Sequence, residues 1–167
     1  MILYTDMDGV LSNFEERATQ VIGKPLGQVA GHGEGNKTEA KEVQYQLIRQ
    51  TPQFWEELPL MPGAMTYWRY IMKFDPHFLT AYASWDEKAC KKGKLFWIRK
   101  YFGSIPLSRI HIVRRDEKQD YATSQSEKNV LVDDYVKNIR QFIVAGGYGI
   151  VHTDVQTTIR QLHTIGF

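Results

Sequence analysis

The sequence predicts an α/β fold in which a parallel sheet is covered by helices on both faces, and three observations carry that expectation. Short apolar runs recur at about 1–6, 77–81, 110–114, 129–133 and 148–152, and helical spacing of apolar residues marks about 62–73, 86–102, 136–144 and 154–164. This alternation of strand and helix is the pattern of a three-layer parallel sheet. Three of the runs close on polar residues, Asp6, Thr80 and Asp133, at the end of the strand where open α/β sheets bind their ligands.

The first strand runs from Met1 to Tyr4 and closes on Asp6-Met7-Asp8-Gly9-Val10-Leu11. Two carboxylates two residues apart leave the backbone in the same direction and can share one hard cation. Gly9 lets the chain turn sharply there without a Cβ penalty. On its own this motif reads equally well as a strand end followed by an Asp-Gly turn. Four later residues, Thr80, Lys94, Asp133 and Asp134, favour a site.

Residues 12 to about 60 break the strand-helix rhythm and read as an insertion, with helices expected over Phe14 to Ile22 and Thr38 to Gln50. Between them, Gly31-His32-Gly33-Glu34-Gly35-Asn36 lacks the Lys-Ser/Thr pair and the flanking strand of a P-loop, so a cap loop is expected. Thr80 ends the run His77-Phe78-Leu79, where its hydroxyl can donate to a phosphate oxygen. Lys94 lies in a helix with apolar residues at 95, 98, 101 and 102, so a lysine can face a site while the aromatics face the core. Asn129-Val130-Leu131-Val132 closes on Asp133 and Asp134. Taken singly, these are a strand end, a solvated helix charge and a helix cap. Taken in order, they form a set.

That set resembles the haloacid dehalogenase (HAD) superfamily of aspartate-nucleophile phosphohydrolases. Asp6, Asp8 and Gly9 match its first motif, Thr80 its second, Lys94 its third and the pair Asp133-Asp134 its fourth. Phe54-Trp55-Glu56-Glu57-Leu58-Pro59-Leu60-Met61-Pro62-Gly63-Ala64 and the stretch from Gly93 to Gly103 resemble the 5'(3')-deoxyribonucleotidase branch, and the likeness runs from residue 1 to about 147. After the motif-two threonine, relatives carry a small polar residue and a proline where this chain has Ala81 and Tyr82. One phosphate-directed hydroxyl is therefore missing, with Ser84 an open replacement. Lys92 competes with Lys94 for the third motif, and Arg115 is carried over from the branch's basic segment.

The resemblance implies a Rossmann-like, HAD-type core over residues 1–11 and 61–167, with a small helical cap over 12–60. It implies a magnesium-dependent phosphomonoesterase. Attack by a carboxylate on a dianionic phosphate needs a cation between the two, and magnesium uses one or two carboxylates together with substrate oxygens. Asp6 and Asp133 are the expected side-chain ligands and the Asp8 carbonyl the third, with Asp134 in support. Asp6 is expected to form an aspartyl-phosphate. Asp8 is expected to protonate the leaving alkoxide and then to deprotonate water. Thr80, the strand end at Ala81, Lys94 and Arg115 would hold the phosphate, while Phe14, Phe54 and Trp55 offer an apolar slot for a base. Those aromatics can equally pack the cap on the core. The expected substrate is a small phosphate monoester, a nucleoside monophosphate by resemblance, with a homodimer left open.

Composition agrees. The 167 residues, 43% hydrophobic and 24% charged, bury one core with an insertion. No apolar run approaches the ~20 residues that span a bilayer, and the first strand already carries the motif, so a cytoplasmic enzyme without a signal peptide is expected. The one cysteine, Cys90, fits a reducing compartment. A net charge of +2 gives no strong nucleic-acid signal. None of the five histidines has metal-ligand spacing. The alternatives are a phosphatase acting on a nucleic-acid end or a phosphosugar and, in a different class, a noncatalytic or receiver-like phosphate- and magnesium-binding module. In a receiver, however, the acidic pair ends the first strand and the phosphorylated Asp a middle one. Here that order is reversed.

Overall fold

The structure is a computed structural model that describes residues 1–24 and 39–167, so the Gly-rich stretch 31–36 lies outside the described residues. The chain divides into two compact units. One comprises Met1–Ser12, Leu60–Tyr82 and Ser104–Phe167; the other comprises Asn13–Pro59 and Ala83–Gly103.

The first unit is built on a five-stranded sheet of order β3-β2-β1-β6-β7, every pair parallel. Its strands are β1 (Leu3–Thr5), β2 (His77–Ala81), β3 (Ile110–Val113), β6 (Val130–Asp133) and β7 (Tyr148–Val151). The short strands β4 (Thr123–Ser124) and β5 (Glu127–Lys128) pair as a separate hairpin. From β1 the chain steps outward to β3, then crosses to β6 and β7 on the other side. The direction of winding therefore reverses between β1 and β6, and a crevice at that reversal is where doubly wound sheets bind ligands.

Side-chain alternation assigns the two faces. Tyr4, Leu79 and Leu131 share one apolar cluster with Ala122 and with Ile139 and Phe142 of α5 (Val136–Val144). On the other face, Trp68 of α3 (Ala64–Ile71) stacks on Phe78 at 5.3 Å, and α3 packs against α6 (Val155–Thr164). The strand and helix spans follow the sequence pattern closely. The helix expected over 62–73 is shorter, because Gly63 turns left-handed before it and residues Met72–Phe74 tighten into a 3-10 turn.

The segment between β3 and β6 holds what the sequence pattern does not announce, a 3-10 helix over Arg115–Tyr121. The Glu117 carboxylate accepts from the Arg114 amide at 2.8 Å and so ties its start. This helix packs against α5.

The second unit contains α1 (Phe14–Ile22), α2 (Glu39–Gln50) and α4 (Glu87–Phe102). The spacing assigns 12–60 to the insertion and α4 to the core, whereas the compact units group α4 with the insertion. Gly93 gives the physical reason. A Cβ there would lie 2.3 Å from Trp55 Cβ, so a bare backbone lets α4 meet the 54–57 segment. Trp97 then donates its indole N–H to the Leu58 carbonyl at 2.7 Å. A glycine inside a helix costs about 1 kcal/mol in propensity, and this packing offsets it.

Candidate active site

Asp6 follows β1 directly and extends its ladder, its amide donating to the Val132 carbonyl at 2.8 Å. The carboxylate is held at both oxygens. Oδ1 accepts from the Met7 amide at 2.7 Å, and Oδ2 lies 2.9 Å from the Lys118 ammonium. Asp133 ends β6 on the other side of the winding reversal. Its Oδ1 accepts from the Tyr135 amide at 2.8 Å, and its Oδ2 accepts from Lys118 at 2.6 Å and from Asn138 at 2.9 Å. One buried lysine thus bridges the carboxylates of two adjacent strands.

The turn after β1 brings in the rest. The Met7 carbonyl accepts from the amides of both Leu11 and Ser12 at 2.8 Å, and Asp8 Oδ1 accepts from the Ser12 hydroxyl at 2.8 Å. Gly9 sits at φ +75°, and a Cβ on it would fall 2.1 Å from Asp134 Oδ2. Asp134 therefore occupies space that only glycine leaves open. Gly9→Ala is expected to displace Asp134 and to destabilise the protein by more than about 1 kcal/mol, since strain adds to the clash. Thermal unfolding checks this, and an unchanged Tm would count against the close approach.

Carboxylate oxygens of Asp6, Asp133 and Asp134 lie within 4.8 Å of one another. Their crowding is visible in their acidities. Burial, then the neighbouring Asp6, pushes Asp133 up to about 6 despite Lys118. The chain packed around Asp134, then Asp6, Asp133 and Asp8, pushes it up to about 7, although its tip is open to solvent. Burial alone would lower the Lys118 pKa, but Asp6 and Asp133 outweigh it and the net shift is upward. Three converging hard oxygen donors with excess negative charge fit a divalent cation such as magnesium.

Thr80 is buried one residue before the end of β2, in register with Ile112, and Ala81 ends the strand half-buried. Arg115 is exposed, with its guanidinium 5.3 Å from the Tyr135 ring centre. In the second unit, Lys94 is buried on α4 while Lys92 is exposed, which separates the two lysines. Phe14 stacks on Trp55 at 5.5 Å and meets Phe54 edge-on at 5.7 Å. Phe54 and Trp55 are 2% and 4% exposed, and the Trp55 indole donates to Asp86 at 2.7 Å, so these two rings pack mainly within their own unit. Phe14 keeps a partly open face.

Lys118 and Asn138 are the residues that the sequence pattern does not flag. A signal for Lys118 exists in the spacing. In a 3-10 helix side chains three apart eclipse, and Tyr121, three residues on, packs against the apolar cluster beside Tyr4.

Solved structures share this architecture. A hydrolase from Streptococcus pneumoniae TIGR4 superposes with TM-score 0.58 at 12% identity, over 96% of this chain and 97% of its own. A HAD family hydrolase from Deinococcus radiodurans R1, solved with bound phosphate and sodium, gives 0.55 at 15% identity, over 96% and 87%. A hydrolase from Pseudomonas syringae gives 0.51 at 14%, over 95% and 89%. A search of curated proteins gives no match. Carboxylates stand at the ends of the two strands at the winding reversal of this shared fold, and the family whose model matches the chain makes it a HAD-type phosphatase. More narrowly, the model of the family described as "5' nucleotidase, deoxy (Pyrimidine), cytosolic type C protein" matches residues 1–159, and the chain belongs to that family.

Proposed function

We propose that the protein is a magnesium-dependent 5'(3')-deoxyribonucleotidase that removes phosphate from (deoxy)nucleoside monophosphates, with Asp6 as the nucleophile. The observation that carries this reading is the convergence of Asp6, Asp133 and Asp134 at the winding reversal, with Lys118 holding one oxygen of each of the first two. A divalent ion held by Asp6, Asp133 and Asp134, with the Asp8 carbonyl, would screen the carboxylate from the phosphate dianion.

The residues divide the remaining work. An Asp6 oxygen attacks phosphorus, forming the aspartyl O–P bond as the ester P–O bond breaks, and Asp8 gives its proton to the departing alkoxide. Asp8 then takes a proton from the water that attacks phosphorus, so the Asp6 carboxylate is released with inorganic phosphate. Lys118, Thr80 and, from α4, Lys94 neutralise and orient phosphoryl oxygens, because positioning and charge stabilisation dominate phosphoryl transfer. Arg115 adds charge at the rim. In the cap, Phe14 offers the stacking face for a base, and Phe54 and Trp55 hold it in place.

A screen of phosphate monoesters with magnesium tests the substrate. Nucleoside monophosphates should give higher kcat/KM than phosphosugars, since a phosphate site alone does not discriminate and selectivity must come from the rest of the substrate. A preference for phosphosugars would overturn the nucleotidase assignment and leave the phosphatase standing.

Cation binding should also be pH-dependent. Asp133 and Asp134 have folded pKa values of about 6 and about 7, raised above the ordinary 3.8. A raised carboxylate contributes stability while protonated and loses it as pH rises through the folded value. Without a divalent ion, the protein should therefore lose stability as pH rises from about 4 to about 7. Magnesium takes the ionised form, so the Tm increase it gives should be larger at pH ~8 than at pH ~5. An equal increase at both would mean that the ion does not bind these carboxylates.

A further inference from the structure

We propose that Thr5 and Tyr67 are positioning residues for the Asp6 nucleophile, an inference that rests on the role given to Asp6 above. Thr5 is the last residue of β1 and Tyr67 lies on α3, and both are fully buried. The Thr5 hydroxyl donates to the Asp6 carbonyl at 3.1 Å, and the Tyr67 hydroxyl donates to Thr5 Oγ1 at 3.3 Å.

The peptide joining Asp6 to Met7 is thereby held at both ends. Its carbonyl is fixed by Thr5, and its N–H is the donor that fixes Oδ1 of the Asp6 carboxylate at 2.7 Å. Tilting that peptide would swing the amide away from Oδ1 and turn the carboxylate relative to the Lys118 ammonium at Oδ2. Thr5 has one proton to give. With Tyr67 donating to its oxygen, that proton is directed at the Asp6 carbonyl. Burial raises the Tyr67 pKa far above its ordinary value, so the phenol remains a donor across the working pH range.

Packing does not require either hydroxyl. Valine at position 5 would fill a buried strand end with the same branching, and phenylalanine at 67 would keep the ring beside His152. A buried hydroxyl costs free energy unless it is hydrogen-bonded; Thr5 gives its bond to the backbone of the attacking residue, and Tyr67 gives its own to Thr5.

The test uses the full chain with p-nitrophenyl phosphate and magnesium, and compares Thr5→Val, Thr5→Ser, Tyr67→Phe and Asp6→Asn at a temperature below every Tm. Thr5→Val should lower kcat about tenfold with KM within about twofold, because a misaimed nucleophile impairs the transition state more than binding. Thr5→Ser, which keeps the hydroxyl, should recover most of that loss. Tyr67→Phe should fall only a few-fold, since its 3.3 Å contact is the longer link. A folded Thr5→Val with native kcat would overturn the proposal, as would Thr5→Ser losing as much as Thr5→Val. Should Thr5→Val fail to fold, native kcat in Tyr67→Phe overturns it. Asp6→Asn separates the two ideas: turnover retained there defeats the nucleophile itself, whereas its loss beside native kcat in the other variants defeats only the positioning.

Discussion

Asp6→Asn is expected to reduce phosphate release by several orders of magnitude while the protein still unfolds cooperatively. The substitution replaces the carboxylate proposed to attack with an amide of nearly the same shape, so one of the Met7 amide and Lys118 keeps an oxygen to approach while the other faces the new NH2 group. It also removes the charge that raises both Asp133 and Asp134. Stability without a cation should therefore change little. On the proposed mechanism catalysis loses the nucleophile and one cation ligand together, and groups that act as a unit leave little residual rate when one is removed. Steady-state phosphate release beside a melting curve checks both halves. Near-native turnover in a folded variant would remove covalent catalysis by Asp6 from consideration.

Lys118→Met is expected to damage activity and stability together. Lys118 is buried and lies 2.9 Å from Asp6 and 2.6 Å from Asp133, so its removal leaves two buried carboxylates facing each other without their shared cation. Breaking a buried ion pair by removing one partner costs about 3–5 kcal/mol. Loss of a preorganised charge at a reacting oxygen costs roughly 100- to 1,000-fold in kcat. Urea unfolding without a divalent ion, repeated with magnesium, measures the first, and turnover of a simple ester the second. Because Lys118 holds the Asp133 value down to about 6, its removal should push that carboxyl further up, and the destabilisation should shrink as pH falls toward about 6. A variant as stable and active as the parent would make the bridge incidental.

Much of the core was legible from residue order. Parallel strands buried on both faces read as continuous apolar runs; Asp6 follows β1, Thr80 lies one residue before the end of β2 and Asp133 ends β6, so each run announces its polar residue. Lys118 was hidden for a physical reason. Arg115–Tyr121 has the composition of a solvated loop, and Lys118 is buried because of the carboxylates it reaches, which its three-residue spacing to Tyr121 does not reveal. Asn138 falls in α5 among apolar residues, and only the register of that helix on β6 reveals that it meets Asp133. The grouping of α4 was equally illegible. Gly93 reads as a weak helix position until Trp55 is placed against it. The aromatics of the insertion were marked by type, but Phe54 and Trp55 spend their surface on neighbours, a distinction that depends on the packing partner.

The central claim is that Asp6 carries the phosphoryl group, and pre-steady-state turnover of p-nitrophenyl phosphate by Asp8→Asn tests it most directly. The p-nitrophenolate group leaves without a proton, so the first step survives loss of the acid, whereas hydrolysis of the intermediate still needs the base. The account predicts a burst of one p-nitrophenolate per site, followed by slow turnover, with a phosphoryl group found by mass spectrometry on the peptide containing Asp6. Linear release with no burst and no phosphorylated Asp6 peptide, in a folded variant that binds magnesium, would contradict it.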